Sequence, residues 1–429
     1  MPGEVIERKC PPIIEGEQNL FVCCGLILHR IPKKEGNPIV QVASLFNQLL
    51  QHFPRIEFGA LVKKHNAERC AKGFSCWTQL VSMLFCQLAH ADSLREICNG
   101  LGCCLGKLVH LGIGKAPNKS TLSYANEHRP AKLYEDLFYT ALQRFRDEKG
   151  WGARKRKFRF KNKLLSLDST TITLCLKLFP WAEFRKAKGG VKAHVLLDHD
   201  DYLPRYVLIT EAKRSDVKMA DAFTLNPGSI VVMDRGYNDY ALFGKWTAEE
   251  IYFVTRLKDN AAYEVTAECA VPQNRNVLSD QLIRFTADKA QSDCPCVLRR
   301  LVVWDEVNER EIVLLTNLLA FGSTTIAAIY KDRWELELFF KALKQNLKVK
   351  SFVGTSENAL RIQLWTALIA ILLLKWLHHL SKAKWSLSNL ASMLRLNLFT
   401  YRDLQTWLDD PFGTPPILPD SQQLALALT

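Results

Sequence analysis

LLSLDSTTITL, Leu164–Leu174, is where the periodicity of the chain changes. Before it, from Val42 to about Arg146, apolar residues recur at helical spacing, as in FSCWTQLVSMLFCQLAHA and LREICNGLG. Here an apolar run meets one carboxylate, Asp168, and continues through β-branched residues, which reads as a strand. GGVKAHVLLDHD (189–200) alternates, and YLPRYVLITEAKR (202–214) returns across a tight turn at Asp200-Asp201. SDVKMADAF (215–223) is predicted as a helix capped by Ser215 and SIVVMDRGY (229–237) as a short buried strand. DYALFGKWTAE (239–249) follows as a helix and IYFVTRLK (251–258) as another strand. Three strands suited to an antiparallel meander, then strands added in parallel through crossovers, make an α/β fold.

Working outward, residues 1–40 carry Pro11-Pro12, Gly16, Pro32, Gly36 and Pro38 without periodicity and read as a poorly ordered extension. Residues 41–150 read as a small helical domain, with Ser120 or Thr121 as the N-cap of KSTLSYANEH and basic residues such as Arg55 and Lys63 between the helices. WGARKRKFRFKNK (151–163) contains Arg154, Lys155, Arg156 and Lys157 and no acid. Its interleaved Trp151, Phe158 and Phe160 favour a phosphate-tracking strap over a solvated linker. From 260 to 318 the pattern is mainly β, with VLRRLVVWDEV and REIVLLTNLL pairing as a hairpin across Asn308-Glu309. One long helix is predicted from Thr324 to Leu347 and another from Asn358 to Leu380, and residues 381–429 read as a helical region with a Pro-rich tail from Pro411.

A chain of 429 residues, 48% hydrophobic, is large enough for two or three domains. Its net charge of +13 and pI of about 9.1 favour a polyanionic partner, nucleic acid first. The thirteen cysteines are irregularly spaced and read as reduced cytosolic thiols, with a zinc site as the weaker alternative. NLFVCCGLIL (19–28) lacks a basic n-region, and the apolar run Leu364–Leu374 is too short for a bilayer, so a soluble protein with no membrane partner is expected. No Gly-rich nucleotide loop, G-x-S-x-G or H-E-x-x-H motif is present.

Asp168 and Asp234 each close an apolar strand, LLSLD and IVVMD. A single such residue more often caps a turn; two on separate core strands point to a cleft at the sheet's carboxyl edge. A third acid comes from YKDRWELELFFKALK, Tyr330–Lys344. At about 100° per residue, Tyr330, Arg333, Glu337 and Lys344 fall within a stripe of roughly 60° on one helix, beside an apolar face formed by Leu336, Phe340, Leu343 and Leu347. A solvated face with i,i+4 ion pairs is the bland alternative. Three carboxylates from rigid elements suit two hard divalent cations, and Tyr330, Arg333 and Lys344 suit neighbouring phosphates. LLDHDD, with Asp198, His199, Asp200 and Asp201, reads as a solvated turn. His194 reads as structural.

LDST at Asp168, MDRGY at Asp234 and Tyr330-x2-Arg333-x3-Glu337-x6-Lys344 resemble the DDE transposases of bacterial insertion sequences, closest to the insertion-sequence-four family with its Tyr–Arg–Glu–Lys signature. The similarity extends over about Val42–Leu380, including LFNQLLQHFPRIEFGALVKKH and KQNLKVKSFVGTSENALRIQLW. The resemblance implies a ribonuclease-H-like catalytic core from 151–259 and 319–380, a β-strand insertion domain at 260–318, and a helical DNA-binding domain before them. It implies cut-and-paste transposition with Asp168, Asp234 and Glu337 as catalytic and metal-binding residues for two Mg2+ ions, Mn2+ substituting. DNA contacts are expected from Tyr330, Arg333, Lys344, Arg154, Lys155, Arg156, Lys157, Arg235 and Tyr237. Relatives excise through a DNA hairpin and stack a flipped base on an insertion-domain aromatic, for which Trp304 is the candidate; from its own segment Trp304 equally reads as a hairpin core residue. Terminal inverted repeats, target DNA and a homodimeric synaptic complex are the implied partners, in a bacterial cytoplasm at the nucleoid. A two-metal nuclease of the same fold and an inactive DNA-binding relative are the alternatives.

Overall fold

The computed structural model describes residues 43–69, 71–104, 106–148, 151, 157–185, 188–213, 219–220, 223–273 and 275–413, all within one compact unit. The extension at 1–40, Arg154, Lys155, Arg156, most of the helix expected from Ser215, and the end of the Pro-rich tail lie outside the described residues.

The helical part comprises α1 (Leu45–Leu50), α2 (Arg55–Lys64), α3 (Cys76–Ala89), α4 (Leu94–Gly102), α5 (Lys119–His128) and α6 (Lys132–Asp147). The N-cap of α5 is Asn118, in extended conformation, so Ser120 and Thr121 fall inside the first turn rather than at the cap. Asn is itself a favoured N-cap residue, and it comes first in the segment.

The strands are β1 (Leu164–Leu174), β2 (Glu183–Arg185), β3 (Lys188–Asp198), β4 (Leu203–Glu211), β5 (Ile230–Met233), β6 (Tyr252–Arg256), β7 (Tyr263–Glu268), β8 (Val277–Phe285), β9 (Leu298–Asp305) and β10 (Arg310–Thr316). β1, β3 and β4 form the expected antiparallel meander, with the short β2 paired to the start of β3. β5 adds parallel to β1 and β6 parallel to β5, joined across α7 (Tyr240–Ala248). The β-rich stretch continues this same sheet: β10 pairs antiparallel with β6, and β9, β8 and β7 follow outward. A short helix, α8 (Asp288–Asp293), sits between β8 and β9.

The single helix expected over Thr324–Leu347 is two: α9 (Ser323–Asp332) and α10 (Trp334–Asn346), interrupted at Arg333. Around the break Arg333 N–H donates to the Tyr330 carbonyl at 3.2 Å and Leu336 N–H to the Arg333 carbonyl at 3.0 Å, tight i→i−3 bonds in place of helical ones. Asp332 and Arg333 are both fastened by ion pairs reaching them from the sheet side, which local periodicity could not report.

The last helices are α11 (Glu357–Leu380), α12 (Leu387–Asn397) and α13 (Leu404–Asp409). By length and composition α11 is long enough to cross a membrane, unlike the shorter apolar run read from sequence, but it is buried against α3, α5 and α6. It is therefore a core helix. One apolar core joins α1 to α6 with α10 to α13 and with Ile172, Leu174, Val191 and Val207 of the meander.

Period-two alternation divides the centre of the sheet. Leu165, Leu167, Val231, Met233 and Phe253 pack with Leu242, Phe243 and Trp246 of α7. Leu164, Ile230, Val232 and Val254 pack with Ile326 and Ile329 of α9. Ser166 and Asp168 share the parity of Leu164 and so face the side on which α9 lies.

Candidate active site

The parallel register Leu167↔Met233 makes Asp168 and Asp234 the next residues on two adjacent strands. Asp234 follows the last residue of β5 as expected, but Asp168 does not close its strand: β1 runs on to Leu174 through its antiparallel pairing with β3, and only its parallel pairing with β5 stops at Leu167. Apolar residues on both faces of β1 and β5 bury these backbones and hold the two carboxylates side by side. Glu337 comes from the first turns of α10. Arg333, at the helix break, ties the set together: one guanidinium nitrogen donates to Asp168 Oδ2 at 3.1 Å and another to Glu337 Oε1 at 2.7 Å. Asp234 Oδ1 accepts two hydrogen bonds from Arg256, at 2.8 and 3.2 Å.

Burial pushes the Asp168 carboxyl up to about 6; the Ser169 N–H and the Arg333 charge oppose this, and the charges of Asp234 and Glu337 add to it. For Asp234, burial raises and the Arg235 N–H and the Arg256 guanidinium lower, with a net shift below the usual carboxylate range. Burial disfavours the Arg333 charge, but Tyr330, Asp168 and Glu337 more than restore it. Three acids and two arginines therefore form one coupled set.

The donor chemistry is that of a hard divalent cation, carboxylate oxygens from three separate elements. As placed, among the described residues no three His, Cys, Asp or Glu side chains stand close enough together to hold one ion, short of the close convergence expected. Arg333 instead bridges two of the acids and supplies the positive charge between them.

The other sequence candidates divide. Tyr330 is half-buried, its ring 5.8 Å from the Arg333 guanidinium carbon. Lys344 Nζ donates to the Thr171 carbonyl at 3.3 Å, three residues beyond Asp168 on β1. Arg235 lies 3.6 Å from Asp259 and, with Gly236, Lys258 and Asn260, lines a cleft of about 430 Å3 beside Asp234. Tyr237 is only 2% exposed, packed in the cluster under α7, so its ring is not presented to a ligand. Trp304 is 37% exposed on β9, paired opposite Glu311, rather than a core residue of the hairpin. Lys157 is ion-paired with Asp332.

The Asp198–Asp201 turn is not solvated. Asp198 and Asp201 are buried; Lys163 contacts Asp198 at 2.6 Å and Asp200 at 2.7 Å, and Arg146 of α6 holds Asp201 at 2.6 Å. Cations from α6 and from the residue before β1 convert an exposed-turn sequence into an internal ion cluster. His194 is buried with Nε2 3.0 Å from the Thr210 hydroxyl, a structural histidine. Sequence reasoning missed Arg256, His199 and Asp332. Arg256 closes β6 at the same carboxyl edge as the two acids, and that edge rule would have found it.

Residues 159–373 match a family profile described as "Transposase DDE domain", and residues 41–114 match one described as a domain of unknown function (DUF4372). A Sinorhizobium fredii protein with the provisional name transposase y4zB is 32% identical over 315 residues, covering 72% of this chain and 84% of that protein. A Geobacillus stearothermophilus protein, provisionally named as the transposase for insertion sequence element IS5377, is 33% identical over 235 residues, 54% of this chain and 62% of that protein. A Synechocystis protein with a similarly provisional name, for element IS4SA, is 27% identical over 279 residues, 62% of this chain and 73% of that protein.

Proposed function

The chain belongs to the DDE transposase family, whose members carry out phosphoryl transfer on DNA, and on that basis we propose that it moves an insertion sequence by cut-and-paste transposition. In this reading the protein hydrolyses phosphodiester bonds at the ends of the element and joins the released 3′ hydroxyls to target DNA. The observation that supports it most is the juxtaposition of Asp168, within β1 just past its last parallel pair with β5, and Asp234, which follows β5, with Glu337 linked to Asp168 through Arg333.

Asp168, Asp234 and Glu337 would hold two divalent cations, Mg2+ or in its place Mn2+, which when bound stabilise charge on the attacking and leaving oxygens of the phosphodiester. The chain's own cations do the rest. Arg333 neutralises Asp168 and Glu337 in the absence of other charge, and once relieved of them offers the same nitrogens to a phosphate. Tyr330 and Lys344 extend that grip, a hydroxyl and an ammonium beside one acid. Arg235, with the cleft it lines, is a further phosphate contact, and the basic residues Arg154, Lys155, Arg156 and Lys157 are assigned DNA contacts from their charge on a chain of net charge +13.

The mixed sheet, with β5 and β6 parallel to β1 and the meander at its other side, supports a ribonuclease-H-like core, and the stretch at 260–318 supports the β-strand insertion. The Tyr–Arg–Glu–Lys spacing assigns the chain to the insertion-sequence-four group in this reading. Exposed Trp304 is the aromatic offered for a flipped base in a hairpin intermediate. The helical segment 41–150 takes the terminal repeats, and two ends are brought together by a homodimer at the nucleoid in the cytoplasm.

The test is incubation of the full-length protein with DNA bearing the element's terminal inverted repeats, a supercoiled target and Mg2+. Metal-dependent cuts at the ends and joined target products are expected. Cuts without joined products favour a nuclease of the same fold, and DNA binding without turnover favours an inactive relative.

A further inference from the structure

The turn between β3 and β4 holds groups for which the chemistry above has no use. His199 donates from Nδ1 to Asp332 Oδ2 at 2.6 Å, and its Nε2 stands 2.6 Å from the Ser166 hydroxyl. Asp332 also accepts from the Tyr202 hydroxyl at 3.3 Å and from Lys157. Burial would raise the Asp332 carboxyl, yet the hydrogen bonds from His199 and Lys157 hold it below the usual carboxylate range. An ionised carboxylate only accepts, so Nδ1 carries a proton toward Asp332, while Nε2 faces the Ser166 hydroxyl.

The order Ser–His–Asp at these distances is that of a hydrolytic triad. Ser166 is 0% exposed, however, so no substrate carbonyl reaches its oxygen. What distinguishes the relay is where its two ends are attached. Ser166 lies two residues before Asp168 on the same face of β1. Asp332 is the residue immediately before Arg333, at the break between α9 and α10. The Lys157 contact is the weaker anchor, because the lysine side chain is 58% exposed, whereas the His199 side chain is 4% exposed.

We propose that His199 is a positioning residue: a strut between β1 and the helix break that holds Arg333 in register with Asp168 and Glu337. This rests on the proposed reading of those residues as the reaction site. Charge-assisted hydrogen bonds inside the protein are short and directional, so removing the imidazole leaves Asp332 only the longer Tyr202 contact and the exposed Lys157, and loosens the peptide carrying Arg333.

Two measurements test this. In single-turnover cleavage of a DNA end at saturating protein and Mg2+, His199→Ala is expected to lower the rate constant by about 10- to 100-fold, the usual cost of losing a partner behind a metal site, with end affinity unchanged. His199→Asn, whose amide reproduces Nδ1 toward Asp332, is expected to recover most of that rate; His199→Gln, which reproduces Nε2 toward Ser166, is not. Combining His199→Ala with Asp332→Asn should slow the reaction no further than the slower single variant. Loss of active fraction in all variants alike, with an unchanged rate constant in what remains, would show that the histidine merely supports the fold. A crystal structure of His199→Ala decides the point even if the wild type cuts no DNA: Arg333 displaced from Asp168 is the expected result, and Arg333 still bridging Asp168 and Glu337 overturns the proposal. Absence of cleavage by the wild type counts instead against the function proposed above.

Discussion

Replacing Glu337 by Gln is expected to slow DNA-end cleavage by about a thousandfold or more, the equivalent of about 4 kcal/mol of transition-state stabilisation, while leaving end binding intact. The substitution is close to isosteric. Its amide oxygen still accepts from Arg333, so the contact made at 2.7 Å in the wild type survives. The Glu337 side chain is 36% exposed, so losing its charge leaves no deeply buried cation without a partner; Arg333 keeps Asp168. What is lost, in the proposed reading, is a hard anionic ligand, together with half of the negative charge that Arg333 now neutralises. Removing a negative charge beside a phosphate track does not weaken DNA binding and is expected to strengthen it at low salt. The check is single-turnover cleavage in parallel with a binding isotherm. Equal losses in cleavage and binding would mean that Glu337 holds the fold or the DNA, not the reacting phosphate.

The second large effect concerns stability. Asp280 of β8 and Arg299 of β9 form a bidentate pair at 2.6 and 2.8 Å, with side chains 0% and 9% exposed. The same guanidinium donates to the Leu319 carbonyl at 3.1 Å and the Phe321 carbonyl at 2.5 Å. Asp280→Ala leaves that cation buried and uncompensated, and is expected to cost about 3–5 kcal/mol in denaturant unfolding. A double replacement, Asp280→Leu with Arg299→Met, removes both charges and is expected to cost less than the single change. A double variant less stable than Asp280→Ala would contradict the account of a desolvated charge. Because Leu319 and Phe321 lead into α9, the single variant also loosens the entry to the helix that ends at Asp332 and Arg333.

Much of this was legible in residue order, and the parts that were not share a cause. Asp168 and Asp234 could be found because each follows an apolar run in its strand, although β1 continues past Asp168 to Leu174. The meander and the β9–β10 hairpin were legible because their pairings are local enough for periodicity to report. The break at Arg333 was not. No Gly or Pro lies between Thr324 and Leu347, and what interrupts the helix is anchored from far away in sequence, by His199 and by Asp168. LLDHDD misled because a cluster of Asp at a turn is ordinarily hydrated; its burial depends on Arg146 and Lys163, which no local reading supplies. Tyr237 belongs to an MDRGY run that looks like one functional unit, yet the 3-10 turn Arg235–Tyr237 sends its ring into the core while Arg235 stays at the cleft. Arg256 stands at the same carboxyl edge by the same rule, but a cation there carries no metal-ligand signal of its own.

In the proposed reading, Asp168, Asp234 and Glu337 share one divalent-metal locus. The most direct measurement is to load the protein with Fe2+ in place of Mg2+, generate hydroxyl radicals with ascorbate and peroxide, and map the breaks in the polypeptide. Cuts clustered near all three acids and suppressed by excess Mg2+ are the predicted result. Cuts near only one of them, or a pattern that Mg2+ does not compete away, would contradict it.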